Sequence, residues 1–176
     1  MLDYDHPSIQ SLIKSKEWES LSEFQKIRDI YNYVRDEILF GYNIDDSISA
    51  SKVLADGYGQ CNTKGTLLMA LLRAVGIPCR VHGFTIDKKL QKGAMTGIVY
   101  YSAPKNVLHS WVEVLYQNHW YELEAVILDS DYLKKLRKLH PECAGAFCGY
   151  GVAVSDFQNP VIDWNCNNTY IQSEGI

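Results

Sequence analysis

Cys61 follows Gly57-Tyr-Gly-Gln and precedes Leu67, Leu68, Leu71, Leu72 and Val75, which recur at helical spacing until Gly76 and Pro78. The spacing predicts a buried helix with Cys61 in its first turn and a tight, glycine-permitted turn just before it. A thiol there faces backbone N–H groups without intrahelical acceptors and the positive end of the helix dipole, which favour a thiolate and can also receive an oxyanion. That is the setting of a nucleophile for acyl transfer, a chemistry that also needs a base beside the thiolate and an acceptor to orient the base. His109 is the candidate base and Glu124 the candidate orienting acid, with Glu122, Glu113 and Asp129 as its competitors. Tyr42 and Gln60 are candidate second donors to an oxyanion, alongside the Cys61 backbone N–H.

The elements that position these residues follow from hydropathy periods. Residues 8–56 read as helical: an amphipathic segment with Ile9, Leu12 and Ile13 comes first. A helix follows, capped by Ser20 with Glu23 reaching back, whose Ile27, Ile30, Tyr31, Val34 and Ile38 lie on a core. After a loop over residues 40–47, a short helix is expected from Ser49 to Gly57. From Cys79 the pattern turns strand-like, and a polar, mobile surface loop is expected over residues 88–97. Leu108–Tyr116 and His119–Val126 read as a hairpin around Gln117-Asn118. A two-residue turn pairs Glu113 with Glu122 and Trp111 with Glu124. His109, Trp111, Glu113, Glu122 and Glu124 then share one face, with His109 and Glu124 diagonal neighbours. A three-residue turn would put Glu124 on the opposite face. Asp129–Leu139 reads as a basic surface helix, and the segment from His140 as irregular structure with short strands. No repeat or linker divides the chain, so residues 1–176 are expected to form one domain.

These segments resemble a known family. GYGQC with its leucine-rich helix and RAVGIPCR, then HSWVEV, then HWYELEAV are similar to the transglutaminase-like superfamily of cysteine enzymes. In that pattern a Cys opens a helix closing in R-x-x-G-I-P-x-R, a His opens H-x-W-x-E, and an acid closes W-x-x-x-D. The resemblance spans residues 50–126. It implies an α+β, papain-like fold with N-terminal helices and a central buried helix packed on an antiparallel sheet. It also implies a thioester mechanism on an amide-type substrate, with Cys61, His109 and Glu124 as the triad. The sequence departs from the pattern where Glu124 stands for the usual Asp, one methylene longer, and where Cys79 stands for a small residue, a packing variation. Trp111 and Trp120 are candidate cleft walls.

Composition narrows the setting. The chain has 176 residues, a formal charge of -4 and five cysteines. At this length a chain buries roughly 70% of its unfolded surface and needs no disulfide framework. The odd cysteine count and an acidic, interrupted N-terminus without the form of a secretory signal lead us to expect a cytoplasmic protein. The longest apolar run, Leu67–Leu72, falls far short of the roughly 20 residues that cross a bilayer, so no membrane is expected. No basic stripe exists to neutralise phosphates, so no nucleic acid is expected. Cys143, Cys148 and Cys166 are read as buried small residues rather than a zinc site, because C-x4-C is loose and a second tight pair is missing. No metal or cofactor is expected. The Lys134, Lys135, Arg137 and Lys138 cluster is read as a solvated helix face. The expected substrate is a peptide, a protein or a small amide, and the expected enzyme a peptidase or amidase. The alternatives are a transglutaminase-type transferase, or a silent peptide-binding module if the longer Glu124 mis-sets His109. The last residues carry neither a helix cap nor a charged tail, as in a chain that continues further.

Overall fold

The computed structural model describes residues 1–93, 97–102 and 104–172. Helices α1 (Pro7–Ser15), α2 (Glu23–Glu37) and α3 (Ala50–Asp56) open the chain. The cap of α2 is Ser22, not Ser20: its Oγ accepts from the Gln25 N–H, and Gln25 reaches back to the Ser22 N–H. Trp18, 3% exposed, is drawn into the core by a 3-10 turn, Trp18–Ser20, so the helix begins two residues later than the S-x-x-E spacing implies. Helix α3 has Ser49 as its cap and Gly57, with φ 70°, at its end.

Strands β1 (Leu39–Phe40) and β2 (Tyr58–Gly59) pair in parallel. This contact brings the chain leaving α2 beside the turn that leads into α4 (Cys61–Ala74). Gly59 is required there: a Cβ would lie 2.7 Å from Thr63 Oγ1 and 3.2 Å from the Lys64 backbone nitrogen. Helix α4 buries Leu67, Leu68, Ala70, Leu71 and Leu72 completely and lies against a three-stranded antiparallel sheet of β3 (Cys79–Asp87), β4 (Asn106–Tyr116) and β5 (His119–Glu122), in that order.

The hairpin turn has two residues, Gln117 and Asn118, both left-handed (φ 49° and 61°), as a turn matched to the strand twist requires. Glu113 pairs with Glu122. The second strand is shorter than the sequence predicts, because the chain leaves the sheet at Leu123 and enters a 3-10 turn, Glu124–Ile127. Ala125, Val126, Ile127 and Leu128 are all buried. A strand would have exposed every second one of them, whereas the turn tucks them under the C-terminal segment. Glu124 therefore does not pair with Trp111.

In the segment predicted as a polar loop, Lys88–Gln91 forms a 3-10 turn with Leu90 fully buried. Residues 94–96 of that loop lie outside the described residues, and α5 (Gly97–Ser102) follows. Helix α6 (Ser130–Leu139) is capped by Asp129, and β6 (Phe147–Gly149) pairs with β7 (Val152–Val154). Besides a small group of Ile86, Leu90 and Ala153, two apolar clusters result. The larger packs α1 to α4 on the sheet. The smaller joins the 3-10 turn, α6, β7 and Ile171, with Phe40 and Cys61 at its edge.

Candidate active site

Cys61 is the first residue of α4 and is partly exposed. The first intrahelical bond runs from the Lys64 N–H to the Gln60 carbonyl, 2.8 Å, so the amides of Cys61, Asn62 and Thr63 have no acceptor within the helix. These amides border a cleft lined by Cys61, His109, Tyr42, Phe40, Asp46 and Gln172 among others.

His109 lies on β4, 1% exposed. Its Nε2 is 2.7 Å from Glu124 Oε1, and the ring is also hydrogen-bonded to Cys61. Burial disfavours the imidazolium, but the bonds to Cys61 and Glu124, with the negative charge each can carry, outweigh it and hold His109 up at about 9. Phe84 meets the ring edge-on at 5.7 Å, which keeps that side dry.

Glu124, also 1% exposed, is a carboxylate that burial alone would neutralise. It is met instead by three donors. Besides His109, the Ile171 N–H reaches Oε2 at 2.5 Å and the Gln172 N–H reaches both oxygens at 3.1 Å, bonds of the stronger, charge-assisted kind. The competing acids are engaged elsewhere. Glu113 accepts from Arg80 and His82. Asp129 accepts from the N–H groups of Phe40 and Tyr132. Glu122 is hydrogen-bonded to Tyr170.

Tyr42 lines the cleft about half exposed, its hydroxyl pushed up by burial and by the neighbouring Cys61. Gln60 caps α4, and its Nε2 donates to Asp46. Trp111 and Trp120 do not line this cleft. Trp111 stacks on His82 with ring centroids 4.6 Å apart and borders a second, neighbouring groove, while Trp120 carries the Arg80 guanidinium 4.1 Å over its ring.

Several contributors have no signal in the residue pattern. Asn62 Nδ2 donates to Asp46 Oδ2 at 2.8 Å, and Ser110 Oγ donates to Asn62 Oδ1 at 2.6 Å. The residue after Cys61 is thus tied to the residue after His109, and both to the loop before α3. Lys64, fully buried, donates to the carbonyls of Arg35 (3.0 Å) and Ile38 (2.7 Å). Of the remaining cysteines, Cys79 is buried as a packing residue, Cys143 is partly exposed, and Cys148 and Cys166 are exposed rather than buried. Among the described residues no group of three or more His, Cys, Asp or Glu side chains could hold a metal ion. No described helix is long and apolar enough to cross a membrane.

Solved structures with the same architecture include a protein of Cytophaga hutchinsonii assigned by inference as a cysteine protease. It matches with a TM-score of 0.53 and 21% identity over 73% of this chain and 39% of its own. Red sea bream transglutaminase matches with a TM-score of 0.39 and 17% identity, over 70% of this chain and 25% of its own. The chain thus spans well under half the length of either. Among curated proteins none matches. The family model of the transglutaminase-like superfamily covers residues 12–125, a stretch that holds Cys61, His109 and Glu124 together with α4 and β4, and the chain belongs to that superfamily.

Proposed function

We propose that the protein is a cysteine-dependent hydrolase that cleaves an amide bond of a peptide, a protein or a small amide through a thioester on Cys61. The observation that carries this reading is the buried 2.7 Å contact between His109 Nε2 and Glu124, which leaves the other ring nitrogen for Cys61. Sγ attacks the carbonyl carbon, and the oxyanion develops beside the Cys61 and Asn62 amides at the start of α4, with Tyr42 as the nearby side-chain donor. His109 gives its proton to the departing amine as the C–N bond breaks. Water, activated by the now neutral imidazole, then attacks the thioester and releases the acid.

Hydrolysis is favoured over transfer to an amine because Cys61 is partly exposed, whereas transfer needs water held away from the thioester. The silent binding module is disfavoured because the longer Glu124 reaches both His109 and the two backbone amides that fix it.

The test is site-resolved alkylation by iodoacetamide, read by mass spectrometry on the folded protein. Cys61 should react well ahead of the more exposed Cys148 and Cys166, and His109→Ala should remove that advantage. A Cys61 no faster than those two thiols would refute the reading. Peptide electrophile libraries on the same readout would then define the acyl side of the substrate.

A further inference from the structure

Side chains alternate along β4, so Leu108, Ser110 and Val112 face away from the side that carries His109. They floor a second groove between the sheet and the first turns of α4. Its walls are apolar: Val81 and Leu108 are each 62% exposed, and Met69 and Val112 close the inner side. Two uncovered aliphatic side chains on one concave face are a place for an apolar ligand group. The groove is also continuous with the cleft, since Asn62 and Leu108, the neighbours of Cys61 and His109, line both.

The reaction gives that continuity a direction. The oxyanion lies at the helix start and the acyl carbon at Sγ, while the departing nitrogen has to reach His109 to take its proton. The chain beyond that nitrogen therefore crosses β4 at His109 and arrives at Leu108, with Val81, opposite Val112, farther along the same groove. We propose that this groove binds a bulky apolar side chain, of the Leu, Met or Phe class, on the amine side of the scissile amide. The inference rests on the acyl-transfer role of Cys61. It adds a substrate class: amides whose departing amine belongs to a large apolar residue.

The test uses p-nitrophenyl acetate as a small acyl donor. Its acetyl group moves to Cys61 Sγ as p-nitrophenolate leaves and the His109 proton, no longer held by a thiolate, passes to solvent; the full protein is assayed with glycinamide or phenylalaninamide added. An amine in the groove either attacks the thioester, breaking the C–S bond and passing its proton to His109, or occupies the site and slows turnover. Both change p-nitrophenolate release. Phenylalaninamide should act at about tenfold lower concentration than glycinamide, the discrimination an apolar pocket gives. That ratio, taken within each variant against its own ester turnover, should fall towards one in Val81→Asp and persist in Val81→Leu.

Equal midpoints in the wild-type protein, or a preference that Val81→Asp leaves intact, would overturn the inference while leaving Cys61 catalysis standing. So would a wild-type dimer that Val81→Asp dissociates without changing the ratio, since the groove would then be a subunit contact. Ester turnover without acylation of Cys61 would overturn the catalytic reading and this inference together.

Discussion

Glu124 shows how one methylene is accommodated. Its carboxylate spans from His109 Nε2 to the Ile171 and Gln172 amides, so shortening it to Asp should sacrifice one end of that span. Glu124→Ala should lower turnover roughly a hundredfold or more, the scale on which an orienting carboxylate matters, and Glu124→Asp should lie between it and the wild type. The pH profile separates orientation from a general loss of structure. His109 is held up at about 9 by Cys61 and Glu124 against burial, so its proton should be available to the departing amine until about pH 9, and activity should fall above that. Removing Glu124 removes one of the raising influences and should move this limb to lower pH. A limb unmoved by Glu124→Ala, in a variant with unchanged circular dichroism, would refute the pairing. Cys61, His109 and Glu124 were legible as a candidate set through their order and surrounding motifs rather than their types alone, and the structure brings His109 within 2.7 Å of Glu124. The Asn62, Ser110 and Asp46 links were not, because polar residues of that kind occur throughout surface loops and carry no period.

Helices and the hairpin were legible where a period is long or a turn has a steric requirement: α2, α4, and the left-handed pair Gln117-Asn118 between β4 and β5. The two-residue strands and the exit at Leu123 were not, since elements that short are set by tertiary pairing rather than by their own sequence. Lys64 belongs to the same class. It sits one turn after Cys61, and its amino group closes the carbonyl end of α2, tying the helix that carries the thiol to the helix that leads into the Tyr42 loop. Burial pushes this amine down to about 7, against the pull of Asp129 and Asp36, with Arg35 adding to the lowering. Between about pH 7 and 9 the folded state holds Lys64 neutral where the unfolded chain binds a proton, so this residue makes stability rise with pH. His109, raised from 6.5 to about 9, acts oppositely: its contribution is complete below pH 6.5 and is lost as pH rises through 9. In the wild type the two oppose each other. In Lys64→Met the His109 contribution is no longer opposed by Lys64, so denaturation curves between pH 7 and 9 should show stability falling with pH, on the scale of about 1.4 kcal/mol per pH unit for one proton. A slope equal to that of the wild type would show that Lys64 titrates normally in the folded protein.

The whole molecule is organised so that the last described residues complete a site begun more than a hundred residues earlier. The segment around Thr169 bridges in parallel to Leu123, and the Thr169 N–H donates to the Glu122 carbonyl at 2.9 Å. This places the Ile171 and Gln172 amides against Glu124. What they contribute is backbone N–H, which every non-proline residue has, and that explains why the irregular composition of the tail gave no hint of a role. The segment is anchored from the opposite side by Tyr31 of α2. This fully buried phenol, pushed up to about 12 chiefly by burial, donates to the Ile162 carbonyl at 2.6 Å and meets Thr169 Oγ1 at 3.4 Å. Tyr31→Phe keeps the ring and deletes that donor. Because Arg35 also donates to the Ile162 carbonyl, at 2.8 Å, the acceptor is not orphaned, and the cost should stay near the usual worth of a hydrogen bond, about 1 kcal/mol. The effect should nevertheless be focused. Amide hydrogen exchange at residues 169–172 should quicken more than in β4, since local opening follows the anchors of a segment rather than global stability, and the His109 limb should shift towards lower pH as Glu124 loses its fixed donors. Uniform acceleration across the chain, with the limb unmoved, would mean that Tyr31 supports the fold without fastening the tail to the site.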